Sequence, residues 1–274
     1  MKQLLLAGVV IFVGAAVCAQ GKRSAEASAS GSINAAEDGL VTLQDSTAPD
    51  VAWYSFEGNA NDSSGNDHHG TEFGTVSYSG GVLGLAAQFS GLTSFDWIEI
   101  PSHLLEDWTI AVWFRETAYT GEYSRIWDFG SLDGANGAVF LSPHHGRLDS
   151  RLGCTVIDTT GAEVILADTG IAPEVDNWYH VAVTFDKDGE GMKVYVNGGL
   201  RGTSTYNSES FSDFSSQTWY VARSNWVDPY FDGLIDELKI YDRALSEAEI
   251  LGLAATFLDG FETGDTSAWS STVP

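Results

Sequence analysis

Thirty-eight Asp and Glu side chains stand against 13 Lys and Arg, so the search for chemistry starts with carboxylates. A retaining glycosidase needs two carboxyl groups about 5–5.5 Å apart, and an inverting one about 6.5–9.5 Å. One strand supplies the shorter spacing through acids at i and i+4, or at i and i+5 across a bulge. No Glu-x-Asp-x-Glu or Glu-x-Asp-x-x-Glu run occurs. The nearest acidic pair, Asp236-Glu237, consists of chain neighbours, which an unbroken strand points to opposite faces. The same rule separates the members of His68-His69 and of His144-His145, so neither pair is assigned a transition metal. Gly-x-Ser-x-Gly elbows and phosphate-binding loops do not occur, and Cys154 lacks a supporting motif. Cys154 reads as a small buried apolar residue. Two kinds of chemistry remain. Asp- and Asn-rich turns offer oxygens to a hard cation such as Ca²⁺, and aromatics in loops offer faces for ligand stacking. Catalysis by carboxylates from separate strands stays open as an alternative.

The elements that must position these residues read as strands. Hydrophobic residues make up 43% and aromatics 12% of 274 residues, with 30 Gly and only 6 Pro. Many aromatics with many glycines suit strands joined by tight turns. Trp108-Thr109-Ile110-Ala111-Val112-Trp113-Phe114 is apolar at both parities, so both faces of this strand should be covered or line a groove. Trp178-Tyr179-His180-Val181-Ala182-Val183-Thr184-Phe185 alternates, with Tyr179, Val181, Val183 and Phe185 on one face. The Asp186-Lys187-Asp188-Gly189-Glu190-Gly191 turn and Asn197-Gly198-Gly199 bracket the strand Met192-Lys193-Val194-Tyr195-Val196. One short helix is expected after Ser246, whose capping box would include Glu249. A formal charge of −25 repels phosphate backbones and argues against nucleic acid as a partner.

The ends differ from the middle. Lys2, the apolar run 4–17 and Val17-Cys18-Ala19 before Gln20 read as a signal peptide over 1–19. The run is too short for a membrane span. A lipoprotein, acylated at Cys18, ranks second because Val17 is bulky for that processing. No membrane insertion is expected after cleavage. Residues 20–49, rich in Ala, Ser and Gly, read as a disordered linker. Residues 50–254 form one domain, and 255–274 form a flexible tail. Cleavage leaves Cys154 without an intramolecular disulfide partner.

Several segments, in order, resemble the LamG-like jelly-roll family with its concanavalin A-like fold. They are Trp53-Tyr54-Ser55-Phe56-Glu57-Gly58 with the Asn61-Asp62-Ser63-Ser64-Gly65-Asn66 turn and His69-Gly70, then Ala86-Ala87-Gln88-Phe89-Ser90-Gly91 and Trp97-Ile98-Glu99-Ile100-Pro101. The Trp108 and Trp178 strands follow, with Val194-Tyr195-Val196-Asn197-Gly198. The last is Phe231-Asp232-Gly233-Leu234-Ile235-Asp236-Glu237-Leu238-Lys239-Ile240-Tyr241. The resemblance covers 50–254 and implies an all-β fold: a two-sheet antiparallel jelly-roll sandwich. It implies a secreted or cell-surface protein that binds glycans or extracellular proteins, frequently with a structural Ca²⁺. The tail resembles short acidic tails of exported bacterial proteins, and reads either as a loose end or as a sorting tag.

In such jelly rolls the first and last strands lie close together. That would bring Glu57, Asp62 and Asn66 towards Asp236, and these four are the candidate calcium ligands. The alternative is that Asp62 and Asn66 form Asx-turns and Asp236 pairs with a surface base. Aromatics outside the family's core positions are the candidate ligand-binding residues: Tyr119, Tyr123, Trp226 and Tyr230. Asn225, Asp228 and Arg223 could hydrogen-bond sugar hydroxyls beside them. Trp53, Trp113 and Trp178 occupy core positions of the pattern. The leading expectation is a non-catalytic binding module. A structural or adhesive surface protein and a polysaccharide-active hydrolase or lyase are the alternatives.

Overall fold

The computed structural model describes residues 48–131 and 136–255, and two short strands before them. Those strands, β1 (Ile33–Ala35) and β2 (Val41–Leu43), pair antiparallel with Ile33 opposite Leu43. They belong to a unit of their own, residues 1–44. The expected signal peptide, the rest of the expected linker up to residue 47 and the tail beyond Ala255 lie outside the described residues.

The second unit is a two-sheet antiparallel sandwich. Its strands are β3 (Ala52–Tyr54), β4 (Thr71–Phe73), β5 (Ser77–Gly80), β6 (Leu85–Ser90), β7 (Trp97–Ile100), β8 (Trp108–Glu116), β9 (Trp127–Ser131) and β10 (Ala138–His145). They continue with β11 (Arg151–Ile157), β12 (Glu163–Asp168), β13 (Tyr179–Asp186), β14 (Gly191–Val196), β15 (Gly199–Ser204), β16 (Gln217–Val221) and β17 (Asp232–Tyr241). A seven-stranded sheet runs β12-β11-β10-β9-β16-β7-β4, and an eight-stranded sheet runs β15-β14-β13-β8-β17-β6-β5, with β3 also pairing β17. The jelly-roll expectation holds, including the pairing of first and last domain strands: Trp53 lies opposite Lys239.

Period-two alternation builds the core between the sheets. Val181, Val183 and Phe185 of β13 enter it, with Tyr179 packed against it. Trp108, Trp127, Trp219, Tyr54, Phe129 and Phe211 are among the large rings fully buried between the sheets. Phe129 stacks on Trp219 at 4.4 Å between ring centres. The apolar residues of β8 split as its double-parity pattern requires. Trp108, Ile110, Val112 and Phe114 face the core. Ala111 faces outward into a second cluster with Tyr195, Tyr241 and helix α1 (Glu247–Ala255), through Ile250 and Leu253. Thus the helix covers part of the outer face of the eight-stranded sheet. Its N-terminus is capped as expected: the Glu249 carboxylate accepts from the Ser246 N–H at 2.9 Å, and the Glu249 N–H donates to Ser246 Oγ.

The β14–β15 hairpin turns at Asn197 and Gly198, both with positive φ, as a two-residue loop of this type demands. Cys154 is fully buried. The tryptophan assignment needs correction. Trp53 and Trp178 are only half-buried, and Trp113 is buried but lies outside the inter-sheet cluster. Trp53 covers Lys239, and Trp178 covers Arg115. The family pattern marks where these rings stand in sequence, and strand parity decides that they lie outside the sandwich. No helix among the described residues is long and apolar enough to cross a membrane.

Candidate functional site

The seven-stranded sheet carries a continuous row of outward-facing residues. Strand register places Thr71 opposite Glu99, Glu99 opposite Tyr220, Tyr220 opposite Asp128, Asp128 opposite Phe140, Phe140 opposite Thr155, and Thr155 opposite Leu166. None of these belongs to the core cluster, while their strand neighbours Ile98, Trp219, Trp127, Val139 and Cys154 do. The row crosses all seven strands and forms the floor of the candidate ligand face.

Asp128 is the centre of that floor and is fully buried. Burial pushes its carboxyl above the usual carboxylate range, against the pull of Arg125 and Asn225. Arg125 Nε donates to Asp128 Oδ2 at 3.2 Å, and Asn225 Nδ2 donates to Asp128 Oδ1 at 3.0 Å. The Asn225 N–H adds a third bond to Asp128 Oδ2. Arg125 also reaches out of the sheet. Its Nη2 donates to Asp228 Oδ2 at 2.9 Å, and its Nη1 donates to the Tyr123 carbonyl. Its guanidinium lies 3.8 Å from the centre of the Phe140 ring. One buried cation therefore ties the 117–125 loop to the 222–231 loop. Gly121 sits under Pro229 with no room to spare: a Cβ there would lie 3.0 Å from the proline ring, at a backbone φ of +135°.

This latch decides where the expected ligand aromatics stand. Tyr123 and Trp226 lie within 5.7 and 6.0 Å of the Arg125 guanidinium, so the structure brings these two together. Tyr119 is 53% exposed and stands edge-on to His144. Tyr230 belongs to a neighbouring group with Phe95 and Trp97, and Trp97 stacks on Phe73 at 4.8 Å. Asn225 and Asp228, expected to meet hydroxyls, are instead engaged inside the protein. Arg223 is not: its guanidinium lies 4.5 Å from both the Trp97 and Tyr220 rings. Beside this group a cavity of about 220 Å³ is lined by His69, Thr71, Glu99, Ser102, Gln217 and Thr218 among others.

Sequence reasoning missed Arg125, Asp128, Phe140, Trp97, Tyr220 and Glu99 as surface builders. A signal existed in Trp127-Asp128-Phe129 and Trp97-Ile98-Glu99-Ile100, where strand alternation puts the acid on the face away from the core. Arg125 followed no motif, and only the fold shows what it joins.

The expected cation ligands fall into two groups. Glu57 and Asp236 lie against one loop, residues 81–85. Asp236 Oδ2 accepts the Val82 and Leu83 N–H groups at 2.9 and 3.1 Å, and the Glu57 carboxylate accepts the Leu85 N–H. Gly84, at φ +61°, leaves the space that Glu57 occupies. Asp236 is fully buried, its Oδ1 has no hydrogen-bond partner, and burial pushes its carboxyl up to about 7. Asp62 and Asn66 belong to a separate turn. Both Asp62 oxygens are taken by donors from Trp53, Ser64 and His68, which hold its carboxyl below the usual range despite partial burial. Asn66 Nδ2 donates to the carbonyls of Asp50 and Val51. Asp62 forms the Asx-turn of the alternative reading, through the Ser64 N–H, whereas Asn66 ties its turn to residues 50 and 51 instead. Among the described residues no group of three or more His, Cys, Asp or Glu side chains is arranged to hold a metal.

The sequence profile of the concanavalin A-like lectin/glucanases superfamily matches residues 92–251, more than half of the chain. The chain belongs to this superfamily. No curated protein matches it. Among solved structures, it is similar to domain 4 of AbnA, a GH43 extracellular arabinanase from Geobacillus stearothermophilus, in complex with arabinotriose. Identity is 26% with a TM-score of 0.64, over 74% of this chain and 97% of that domain. The binding domain of Paraclostridial Mosquitocidal Protein 1 shares the fold at 18% identity and TM-score 0.55, over 73% of this chain and 50% of that one. The botulinum neurotoxin type G receptor binding domain does so at 16% identity and TM-score 0.53, over 76% of this chain and 51% of that one.

In a lectin/glucanase domain the paired carboxylates decide what chemistry is open. Asp128 and Asp228 share Ser224 Oγ and Arg125 as donors, so they stand close together. Both Asp128 oxygens are filled by protein donors and the group is sealed from solvent. It cannot reach a glycosidic oxygen in this arrangement. Asp236 and Glu237 bring a correction. Ile235 and Leu238 both enter the core, and the register with β8 shifts between Asp236 and Lys239. A bulge therefore places both acids on the outer face of the eight-stranded sheet, where an unbroken strand would separate them. Both are nonetheless buried, and Glu237 is held by Trp53 and Lys239.

Proposed function

We propose that this domain is an exported, non-catalytic carbohydrate-binding module whose ligand lies on the outer face of the seven-stranded sheet. The observation that carries the reading is the likeness, over almost its whole length, to an arabinanase domain seen in complex with arabinotriose. The surface supports it. Tyr123, Trp226, Trp97 and Tyr230 present ring faces and edges, and Glu99, Thr71 and Thr218 line the cavity beside them. Aromatic bodies with a few placed polar groups are the usual make-up of a site that must orient a polyhydroxylated ring. Titration calorimetry of the full chain with arabino-, xylo- and gluco-oligosaccharides tests this. Saturable binding, weakened at least tenfold by Trp226→Ala, is the expected result. No binding across the panel would overturn it.

We propose in addition a structural calcium ion held by Glu57 and Asp236 with backbone carbonyls of the 81–85 loop. Ca²⁺ takes six to eight oxygens, from carboxylates, backbone carbonyls and water together. The unpartnered, buried Asp236 Oδ1 is the observation that fits such an ion. The bound ion would neutralise two acids and pin that loop to β17. Export to the cell exterior or surface follows from the N-terminal segment and remains part of the proposal.

A further inference from the structure

We infer that the ligand is an acidic glycan, and that Arg223 receives the carboxylate of a uronic acid unit. The inference rests on the carbohydrate-binding reading and names the class of sugar. Among the described residues four arginines are ion-paired: Arg125 with Asp128 and Asp228, Arg147 with Glu163, Arg151 with Asp168, and Arg243 with Glu249, while Arg115 stands over the Trp178 ring on the other sheet and Arg201 is exposed. In a chain with 38 acidic residues such partners are easy to find. Arg223 is the arginine held by rings beside the cavity of the seven-stranded sheet. It lies 4.5 Å from the Trp97 ring and 4.5 Å from the Tyr220 ring, and no carboxylate of the described residues is within 4.0 Å of it. The two rings flank the guanidinium, and no hydrogen bond or ion pair to a described residue occupies its N–H fork. A planar fork held in place and lacking a counter-ion matches a carboxylate with two parallel hydrogen bonds.

The surroundings define the rest of the sugar. Tyr220 sits in the floor row opposite Glu99, and Glu99 lines the cavity together with Thr71, Thr218 and Gln217. A carboxylate accepts from hydroxyl groups, and threonine and glutamine both donate and accept. One ring thus meets a cation on the Trp97 side and hydroxyl-binding groups on the cavity side. Trp97, stacked on Phe73, supplies an aromatic wall. The net charge of −25 opposes a polyanion at long range. At physiological salt, screening over about 8 Å confines that opposition, and the contact at Arg223 is local.

The test compares each uronate polymer with its neutral counterpart on the full chain. Polygalacturonate, alginate and glucuronoxylan are titrated beside the same polymers after reduction of their carboxyl groups. A charge-assisted bidentate contact predicts that at least one acid form binds about ten- to a hundredfold more tightly than its reduced form. Arg223→Gln should remove that preference and keep the weaker binding of the reduced form. Arg223→Lys, which keeps the charge and loses the fork, should fall between. Equal binding of acid and reduced forms, or a preference that survives Arg223→Gln, overturns the inference and leaves the carbohydrate reading standing. Failure to bind any carbohydrate overturns both. The wild-type comparison decides the matter even if the variants fold poorly.

Discussion

Arg125→Met strips the buried latch of its cation. The arginine side chain is 3% exposed, Asp128 is 0% exposed and Asp228 is 25% exposed. Asp228 can be rehydrated when its partner leaves, but Asp128 cannot. Removing one member of a buried ion pair strands the other charge at a cost of about 3–5 kcal/mol. In domains of about 150–250 residues each kcal/mol moves Tm by about 2–4 °C, so the variant should melt about 6–20 °C lower. Methionine retains much of the packing against Phe140, which isolates the electrostatic part. Asp128→Asn should destabilise less, because the amide keeps an acceptor for Asn225 and carries no charge. The double variant removes both members of the Arg125–Asp128 pair and so strands neither charge. Its loss should fall short of the sum of the singles by about 2–3 kcal/mol, within the range of coupling between contacting residues. Urea denaturation at pH 7 of the four proteins measures this cycle. A loss below about 1 kcal/mol for Arg125→Met, or strict additivity in the double variant, would refute the latch. The same change unties the Tyr123 carbonyl and Asp228, which Arg125 joins, so on the proposed function carbohydrate affinity should drop at temperatures where the variant is still folded.

Other outcomes follow from the remaining groups. Burial raises Asp236 from 3.8 to about 7, so between those values the folded state keeps a proton that the unfolded state releases. Without calcium, stability should fall as pH rises through that window and level off above about 7. Asp236→Asn should flatten this part of the profile. Millimolar calcium should raise the Tm of the wild type above pH 7 and leave Asp236→Asn unmoved; a wild-type curve indifferent to calcium and chelator counts against the ion. His144 Nε2 lies 2.6 Å from Glu116 Oε2. Burial opposes its charge, and the hydrogen bond and charge of Glu116 outweigh that, raising its pKa above 6.5. The stability it contributes is complete below about 6.5 and is lost as pH rises through the raised value. Glu116→Gln should lower the His144 midpoint in an NMR titration, and an unchanged midpoint would sink the assignment. Cys154 is sealed in the core, and burial pushes its thiol up. A thiol reagent should label it only as the chain unfolds, and fast labelling of the native protein would contradict this packing.

Much of the fold was readable in the residues because local rules set it. The alternation of Val181, Val183 and Phe185 placed β13, Asn197-Gly198 placed a hairpin, and Ser246 with Glu249 placed helix α1. The double-parity β8 announced a covered outer face, and Ala111 meets α1 there as that pattern requires. The site was readable in part. Loop composition pointed to Tyr123 and Trp226, and the family order of strands pointed Glu57 and Asp236 to one corner.

What sequence could not supply was the partnership of residues far apart in the chain. Arg125 and Asp228 are separated by 103 positions, and only strand order brings their loops together. The outward row from Thr71 to Leu166 exists because seven strands, taken out of chain order, share one register. The bulge at Asp236-Glu237 is likewise a property of the ladder, since it depends on what β8 pairs with. The amino-acid sequence by itself determined which residues alternate, turn and cap, because those depend on neighbours within a few positions. The tertiary structure alone decided which acids are neutralised inside the protein and that Arg223 stands between the Trp97 and Tyr220 rings with no carboxylate of the described residues in reach. Those outcomes depend on distances between strands that no local pattern encodes.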